Sequence, residues 1–385
     1  MTGHPFDDID EAALRRRTSM KWSRYGADVL PLWVAETDFP LADPIRRTLH
    51  ELIDRGDTGY PVSKRHVEAF ARFAERRYGW PVDPSLAVTV PDVMTGVEFA
   101  IRGLSEPDDG VAFLTPAYPP FFVSVGETRR FAAHVPLTGG VIDLDALAGA
   151  VRGGATAILL CNPHNPTGRR FTREELVGVA EVADRYGAVV ISDEIHAPLV
   201  LDRDAGEHVP FASLDAEAAA RCVCLHSASK GWNLPGLKAA VLVAGSEATR
   251  KRLAGPALEE LSERSGIAGV AAGVAAFDEA ESWLDDAVAY IAGNQRLAGE
   301  LLPKALPGVR ITPSEATYLA WLDLREVDAL VGTAEPADVL LDRARVALVA
   351  GLHFGPDYGG WARMNLGTSR AIVREAISRM ASVAG

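Results

Sequence analysis

Thr172-Arg-Glu-Glu-Leu-Val-Gly-Val-Ala-Glu-Val-Ala-Asp-Arg-Tyr-Gly187-Ala-Val-Val-Ile-Ser-Asp193 is the stretch on which the fold turns. Thr172 and Glu175 have the spacing of a capping box, in which each side chain satisfies the other residue's amide at a helix start. Leu176, Val179, Ala180 and Ala183 recur at helical spacing and give residues 173–186 one apolar face. Gly187 sits where a left-handed C′ residue ends a helix. An apolar run over 188–192 follows at once and reads as a buried strand. Upstream, 155–161 is a second such run, so the order is strand, helix, strand.

Further β-rich runs lie at 86–90, 110–114, 222–226 and 239–244, with helical stretches between. This alternation predicts an α/β layer fold whose sheet is mostly parallel and flanked by helices. From about residue 279 the texture changes. An amphipathic helix is expected over 282–302, an isolated strand over 317–323 and a last helix near 371–384. The expected division is a large domain over 46–278 and a small α+β domain built from 1–45 and 279–385.

Bulk properties narrow the function. The 385 residues carry a formal net charge of −13, the wrong sign for gripping a nucleic-acid backbone. No apolar run reaches the roughly 18 residues a membrane span needs. Met1-Thr-Gly-His-Pro-Phe-Asp-Asp lacks the basic start and apolar stretch of a secretory signal. Cys161, Cys222 and Cys224 are odd in number and lack zinc-type spacing, and the nine histidines form no cluster. These features predict a cytoplasmic protein without a structural metal, a disulfide, a nucleic-acid partner or a membrane partner.

Chemistry-bearing residues stand at the expected strand ends, where open α/β sheets bind ligands. Ser227-Ala-Ser-Lys230-Gly-Trp-Asn233 follows the 222–226 run. An amine in such a pocket can attack an aldehyde, although a lone lysine after a strand is usually a surface residue. Ile191-Ser-Asp193-Glu-Ile-His196 ends another strand; its carboxylate could pair with a protonated pyridine or merely cap a turn. Asn162-Pro-His-Asn165-Pro-Thr-Gly168 reads first as a rigid turn with a cis-proline.

The order of these segments, followed by a late Arg363-Met-Asn365, resembles the fold-type I pyridoxal-5′-phosphate (PLP) enzymes of aminotransferase class I/II. Leu30-Pro-Leu-Trp-Val-Ala-Glu-Thr-Asp-Phe39 and Ser227-Ala-Ser-Lys-Gly-Trp-Asn-Leu-Pro-Gly-Leu-Lys238 resemble the MalY/PatB group of cystathionine β-lyase-like enzymes. The resemblance spans about 21–378. It implies the PLP-dependent transferase fold, with PLP held on Lys230 as a Schiff base. Lys230 would also carry the Cα proton, Asp193 would hold the pyridinium, and Asn165 would bond the ring oxygen across a cis Asn165–Pro166 peptide. His196 stands where aspartate aminotransferases carry a tyrosine. Tyr118, in Thr115-Pro-Ala-Tyr-Pro-Pro, would stack on the ring beside the reacting atoms, although the second proline departs from the usual pattern.

For the phosphate, the resemblance implies Thr95, Gly96 and Val97, read as preceding a helical run at 98–104, with Ser227 and Ser229. Lys238 stands there in place of an arginine. Tyr60 would reach the neighbouring subunit's phosphate, which implies a homodimer. Arg363 would clamp the substrate carboxylate, with Arg370 as second choice, and Ala35 and Glu36 would lie at the substrate entrance. Glu36 and Thr37 depart from the common Asp-Met there.

The expected activity is α,β-elimination from an S-substituted L-cysteine such as L-cystathionine, giving thiol, pyruvate and ammonia. An aminotransferase or a specialised biosynthetic PLP enzyme is the alternative. A non-catalytic regulator with this fold is disfavoured, because such proteins carry a DNA-binding domain ahead of it.

Overall fold

A computed structural model describes residues 4–202, 206–253, 256–333 and 335–383. The chain divides into two compact units. The first comprises Met1–Pro40, Asn165–Arg169 and Asp285–Gly385; the second comprises Leu41–His164 and Arg170–Leu284.

The second unit is built on a seven-stranded sheet. Its strands are β1 (Ala87–Val90), β2 (Gly110–Thr115), β3 (Phe131–Pro136), β4 (Ala155–Cys161), β5 (Val189–Asp193), β6 (Val223–His226) and β7 (Ala240–Ala244). They run in the order β1-β7-β6-β5-β4-β2-β3. β3, β2, β4, β5 and β6 are parallel, while β7 is antiparallel to both of its neighbours. The α/β reading with a mostly parallel sheet therefore holds. β3 escaped that reading: it is an edge strand, largely solvent-facing, so it lacks the continuous apolar run of a buried parallel strand.

Five helices matter below: α1 (Val93–Leu104), α2 (Pro119–Glu127), α3 (Arg173–Tyr186), α4 (Ala228–Gly231) and α5 (Arg370–Ala381). α3 has the bounds the sequence predicts. Thr172 Oγ1 accepts from the Glu175 amide, Glu175 reciprocates, and Gly187 closes the helix at φ 72°. The apolar faces of α1 and α2 pack on β2, β4, β5 and β6 through Val97, Ile101, Phe113, Phe121, Leu159 and Leu225. The expected cis geometry is present at Asn165–Pro166, and also at Asn162–Pro163 and Thr115–Pro116. Cys222 and Cys224 are fully buried beside each other, Sγ to Sγ 3.9 Å, and Cys161 is buried and unoxidised.

The first unit carries a four-stranded antiparallel sheet of β8 (Arg310–Ile311), β9 (Leu319–Asp323), β10 (Val349–Ala350) and β11 (Trp361–Asn365), in the order β10-β11-β9-β8. β9 and β11 are buried on both faces among Leu14, Trp22, Leu32, Leu302, Leu340 and Val373. The strand expected over 317–323 starts later because Thr317 takes a positive φ of 72°. The helix expected over 282–302 spans Glu281–Ala305. No described helix is long and apolar enough to cross a membrane.

Candidate active site

Two neighbouring parallel strands of the second unit deliver the amine and the acid. β5 ends on Asp193, which pairs in register with Leu225 of β6. One residue beyond β6, Ser227 caps α4: its Oγ accepts from the Ser229 amide at 3.1 Å and donates to the Ala239 carbonyl at 2.7 Å. That short helix presents Lys230. Both groups thus stand at the carboxyl ends of adjacent strands, as the sequence placed them.

Asp193 is almost fully buried, and its Oδ1 accepts from the Ile195 amide at 3.1 Å. Burial pushes its carboxyl up to about 7. The Ile195 bond and the Lys230 charge pull it back, and the neighbouring Glu194 adds to the rise. The Lys230 ammonium is therefore close enough to act on Asp193. A buried acid in this condition is a characteristic of functional sites.

Asn162 organises the turn after β4. Its amide donates to the Asp193 carbonyl at 3.0 Å, and its Oδ1 accepts from the Phe171 amide at 3.1 Å. His196 is buried three residues after Asp193, ahead of the short turn Ala197–Leu199. Tyr118 is half-buried at the N-cap position of α2, with Phe121 edge-on at 5.8 Å.

The helix start expected beside the phosphate residues needs correction. α1 begins at Val93, not after Val97, because Asp92 caps it: Asp92 Oδ1 accepts from the Thr95 amide at 2.8 Å. The Gly96 amide is also spent, on the Asp92 carbonyl at 3.1 Å. The helix's leading amides are those of Val93 and Met94, one turn earlier than expected. Gly96 has a packing reason, since a Cβ there would lie 2.2 Å from Leu225 Cδ2. Lys238 Nζ pairs with Asp92 Oδ2 at 2.9 Å, which places it by the same helix start. Tyr60 is 86 % exposed in the isolated chain.

In the first unit, Arg363 on β11 is buried and its guanidinium fork is held at both tips. Nη1 donates to Asn165 Oδ1 at 2.9 Å and Nη2 to the Trp33 carbonyl at 3.0 Å, with the Phe354 ring 5.1 Å away. Arg370 lies elsewhere in this unit, bonded to Asp7 Oδ2 at 3.0 Å and 4.0 Å from the Tyr290 ring centre.

Four consecutive carbonyls of the 33–36 segment are taken by side-chain donors. After Trp33, the Val34 and Glu36 oxygens accept from Asn365 Nδ2 at 2.6 and 2.7 Å, and the Ala35 oxygen accepts from the Tyr318 hydroxyl at 2.9 Å. Lys21 Nζ reaches the Glu36 carbonyl at 3.2 Å and the Asp38 carboxylate at 2.8 Å, and both of those side chains are 1 % exposed. Trp22 Nε1 donates to the other Asp38 oxygen at 2.7 Å. The segment bearing Ala35 and Glu36 is thus fixed from behind. Sequence reasoning missed Lys21, Asp38 and Tyr318, because no local pattern joins residues so far apart in the chain.

A second buried network also went unread. Glu194 is fully buried, with Oε1 accepting from Ser192 Oγ at 2.8 Å and the Phe211 amide at 2.9 Å. Its Oε2 lies 2.7 Å from His208 Nε2 and 3.3 Å from His226 Nε2. Although burial opposes it, these partners hold the Glu194 carboxyl down at about 2. Burial likewise pushes His226 down to about 4 and keeps it neutral.

A doubly wound sheet with an amine and a buried carboxyl at neighbouring strand ends defines an enzyme of the aminotransferase type. The chain belongs to the aminotransferase class I and II family, whose model matches residues 34–380. It is 42 % identical to a Mycobacterium leprae protein named "Putative cystathionine beta-lyase", across 99 % of this chain and 98 % of that one. It is 32 % identical to the Bacillus subtilis cystathionine beta-lyase PatB, across 94 % and 95 %. Among solved structures it is similar to a Corynebacterium diphtheriae protein described as a "putative plp-dependent beta-cystathionase". The TM-score there is 0.92 at 36 % identity, covering 97 % of this chain and 98 % of that one.

Proposed function

We propose that this protein is a PLP-dependent carbon–sulfur β-lyase that cleaves S-substituted L-cysteines such as L-cystathionine. The observation that carries the cofactor class is the buried Asp193, raised to about 7, within electrostatic reach of Lys230. A buried carboxyl in that state fits a cationic partner, and a protonated pyridine ring is one. The names of the full-length relatives support elimination as the reaction.

The residues present fit the cofactor. Lys230 would hold it, Asp193 would face its ring nitrogen, and Tyr118 and His196 would lie against the ring. Asn165 would meet the ring oxygen. The leading amides of α1, with Ser227, Ser229 and Lys238, suit a phosphate. The second unit carries these groups except Asn165, which belongs to the first with Arg363. When bound, PLP supplies an aldehyde for the substrate amine and an electron-accepting ring.

The chain's own residues would supply the rest. Arg363 offers a planar fork to the substrate α-carboxylate, with its plane set by Asn165 Oδ1 and the Trp33 carbonyl. Freed when the substrate amine takes its place, the Lys230 amine would remove the Cα proton and could return it to the departing sulfur. The Cβ–S bond breaks with its electron pair on sulfur. The released 2-aminoacrylate hydrolyses to pyruvate and ammonia. Tyr60, exposed in one chain, would be completed by a second copy in a homodimer. Three buried free thiols suit a cytoplasmic setting.

The test is direct. L-Cystathionine alone should yield pyruvate and free thiol in step with each other. Turnover that appears only with an amino acid plus 2-oxoglutarate would favour the aminotransferase reading, which the family match supports.

A further inference from the structure

We propose that Glu194 is a positioning residue for the cofactor site: one buried carboxylate that braces the strand end of Asp193 against the 208–211 loop, 3.3 Å from His226 at the strand end leading to Lys230, and sets a second negative charge next to Asp193. This inference rests on the PLP reading above.

The geometry comes first. Glu194 directly follows Asp193, and its amide extends the ladder to the Leu225 carbonyl at 2.9 Å. Its side chain hydrogen-bonds two separate pieces of chain and lies 3.3 Å from a third. Ser192 belongs to its own strand β5. His208 and the Phe211 amide belong to the loop that follows. His226 is the last residue of β6, immediately before the serine that caps the Lys230 helix. No apolar side chain of the same volume could satisfy Ser192, His208 and the Phe211 amide, and burying a carboxylate without them would be costly.

The charge comes second. The groups that face Glu194 are Asp193, His208, His226, Tyr78 and Cys224, and Lys230 acts on the same Asp193 carboxyl. Among these groups His226 is held neutral by its burial. The Glu194 field is already felt at the Asp193 carboxyl, where it opposes ionisation. A cation placed against Asp193 feels the same field with the opposite sign. Glu194 therefore favours a protonated ring nitrogen set against Asp193.

The experiment uses PLP labelled with nitrogen-15 in the ring. It is bound to wild type, Glu194→Gln and Glu194→Asp, with the ring-nitrogen shift followed against pH and the PLP dissociation constant measured alongside. For Glu194→Gln we expect the pH of nitrogen deprotonation to fall by about one unit and PLP to bind about tenfold more weakly, the size of effect one nearby charge exerts. Glu194→Asp keeps the charge but shortens the reach, so it should melt earlier yet keep the wild-type nitrogen titration. A folded Glu194→Gln with wild-type titration and affinity would overturn the proposal. So would a Glu194→Asp whose nitrogen titrates at lower pH, and that arm decides alone if the glutamine variant does not fold. Wild type that binds no PLP would strike down the functional reading instead, and the two failures are distinct.

Discussion

The ends of β5 and β6 and the 33–38 segment both bury charge, but they leave it in opposite conditions. Lys21 and Asp38 neutralise each other at 2.8 Å, with both oxygens of Asp38 and the neighbouring carbonyls occupied. That arrangement is complete by itself. Asp193 has one backbone donor and a lysine at a distance, and its carboxyl stands at about 7. The first region is scaffold, whereas the second holds a group in a disfavoured state until a cation arrives. An incompletely compensated buried charge marks where chemistry happens, and a fully compensated one marks what holds the chemistry in place.

The sharpest way to break this contrast is Lys230→Ala. Elimination activity should fall by about 10⁴-fold, the upper range for a positioned acid–base group, with loss of the bound cofactor's visible band. A folded variant that retains pyruvate release would remove Lys230 from the mechanism. On the scaffold side, Lys21→Met leaves the buried Asp38 without its ammonium partner, with Trp22 Nε1 still donating to it, which should cost about 3–5 kcal/mol in urea unfolding. A cost below about 1 kcal/mol, the range of exposed pairs, would show that the pair is not the anchor its burial implies.

Asp193→Asn should lower turnover by about 10²–10³-fold, as loss of one preorganised electrostatic partner does. The cofactor-free form adds a pH signature. The folded carboxyl is raised to about 7 from the ordinary carboxyl value of 3.8, so its stabilising share is full below about 4 and is lost as pH rises through 7. The stability of Asp193→Asn minus that of wild type should therefore rise by about 1.4 kcal/mol per pH unit across that window. The opposite slope from His226 is common to both proteins and cancels. A flat difference would mean that Asp193 is not desolvated.

Smaller effects test the remaining joints. Arg363→Lys loses the planar fork, so KM for the amino acid should rise about 10–100-fold with kcat much less affected. If kcat alone fell, Arg363 would be acting elsewhere in the reaction. Gly96→Ala drives a methyl group into Leu225 and should cost about 1–3 kcal/mol in thermal unfolding. Unchanged stability would show that the contact relaxes.

Much of this contrast was legible in the sequence, but unevenly. The capping box at Thr172, the closing glycine at 187, and Asp193 and Lys230 just past apolar runs are all local signals. Each came out where the sequence put it. The start of α1 is placed at Glu98 in the sequence but lies at Val93, because the Asp92 cap precedes a valine–methionine pair that carries no start signal, and Gly96 lets the helix approach Leu225. β3 was missed because an exposed edge strand has no buried face to write into its sequence. The Lys21–Asp38 pair, the Tyr318 bond to Ala35 and the Glu194–His208–His226 set join residues up to hundreds of positions apart. Nothing in periodicity or spacing records such contacts, so they emerged only from the three-dimensional arrangement.

The three cysteines have a practical corollary. Cys222 and Cys224 have no exposed surface and Cys161 is 4 % exposed, while burial holds the Cys224 thiol well above its ordinary range. A thiol-specific dye needs an accessible thiolate, so it should stay colourless on the native enzyme. Colour would then appear only as molecules open, which makes this chain its own counter of unfolding events without any added label.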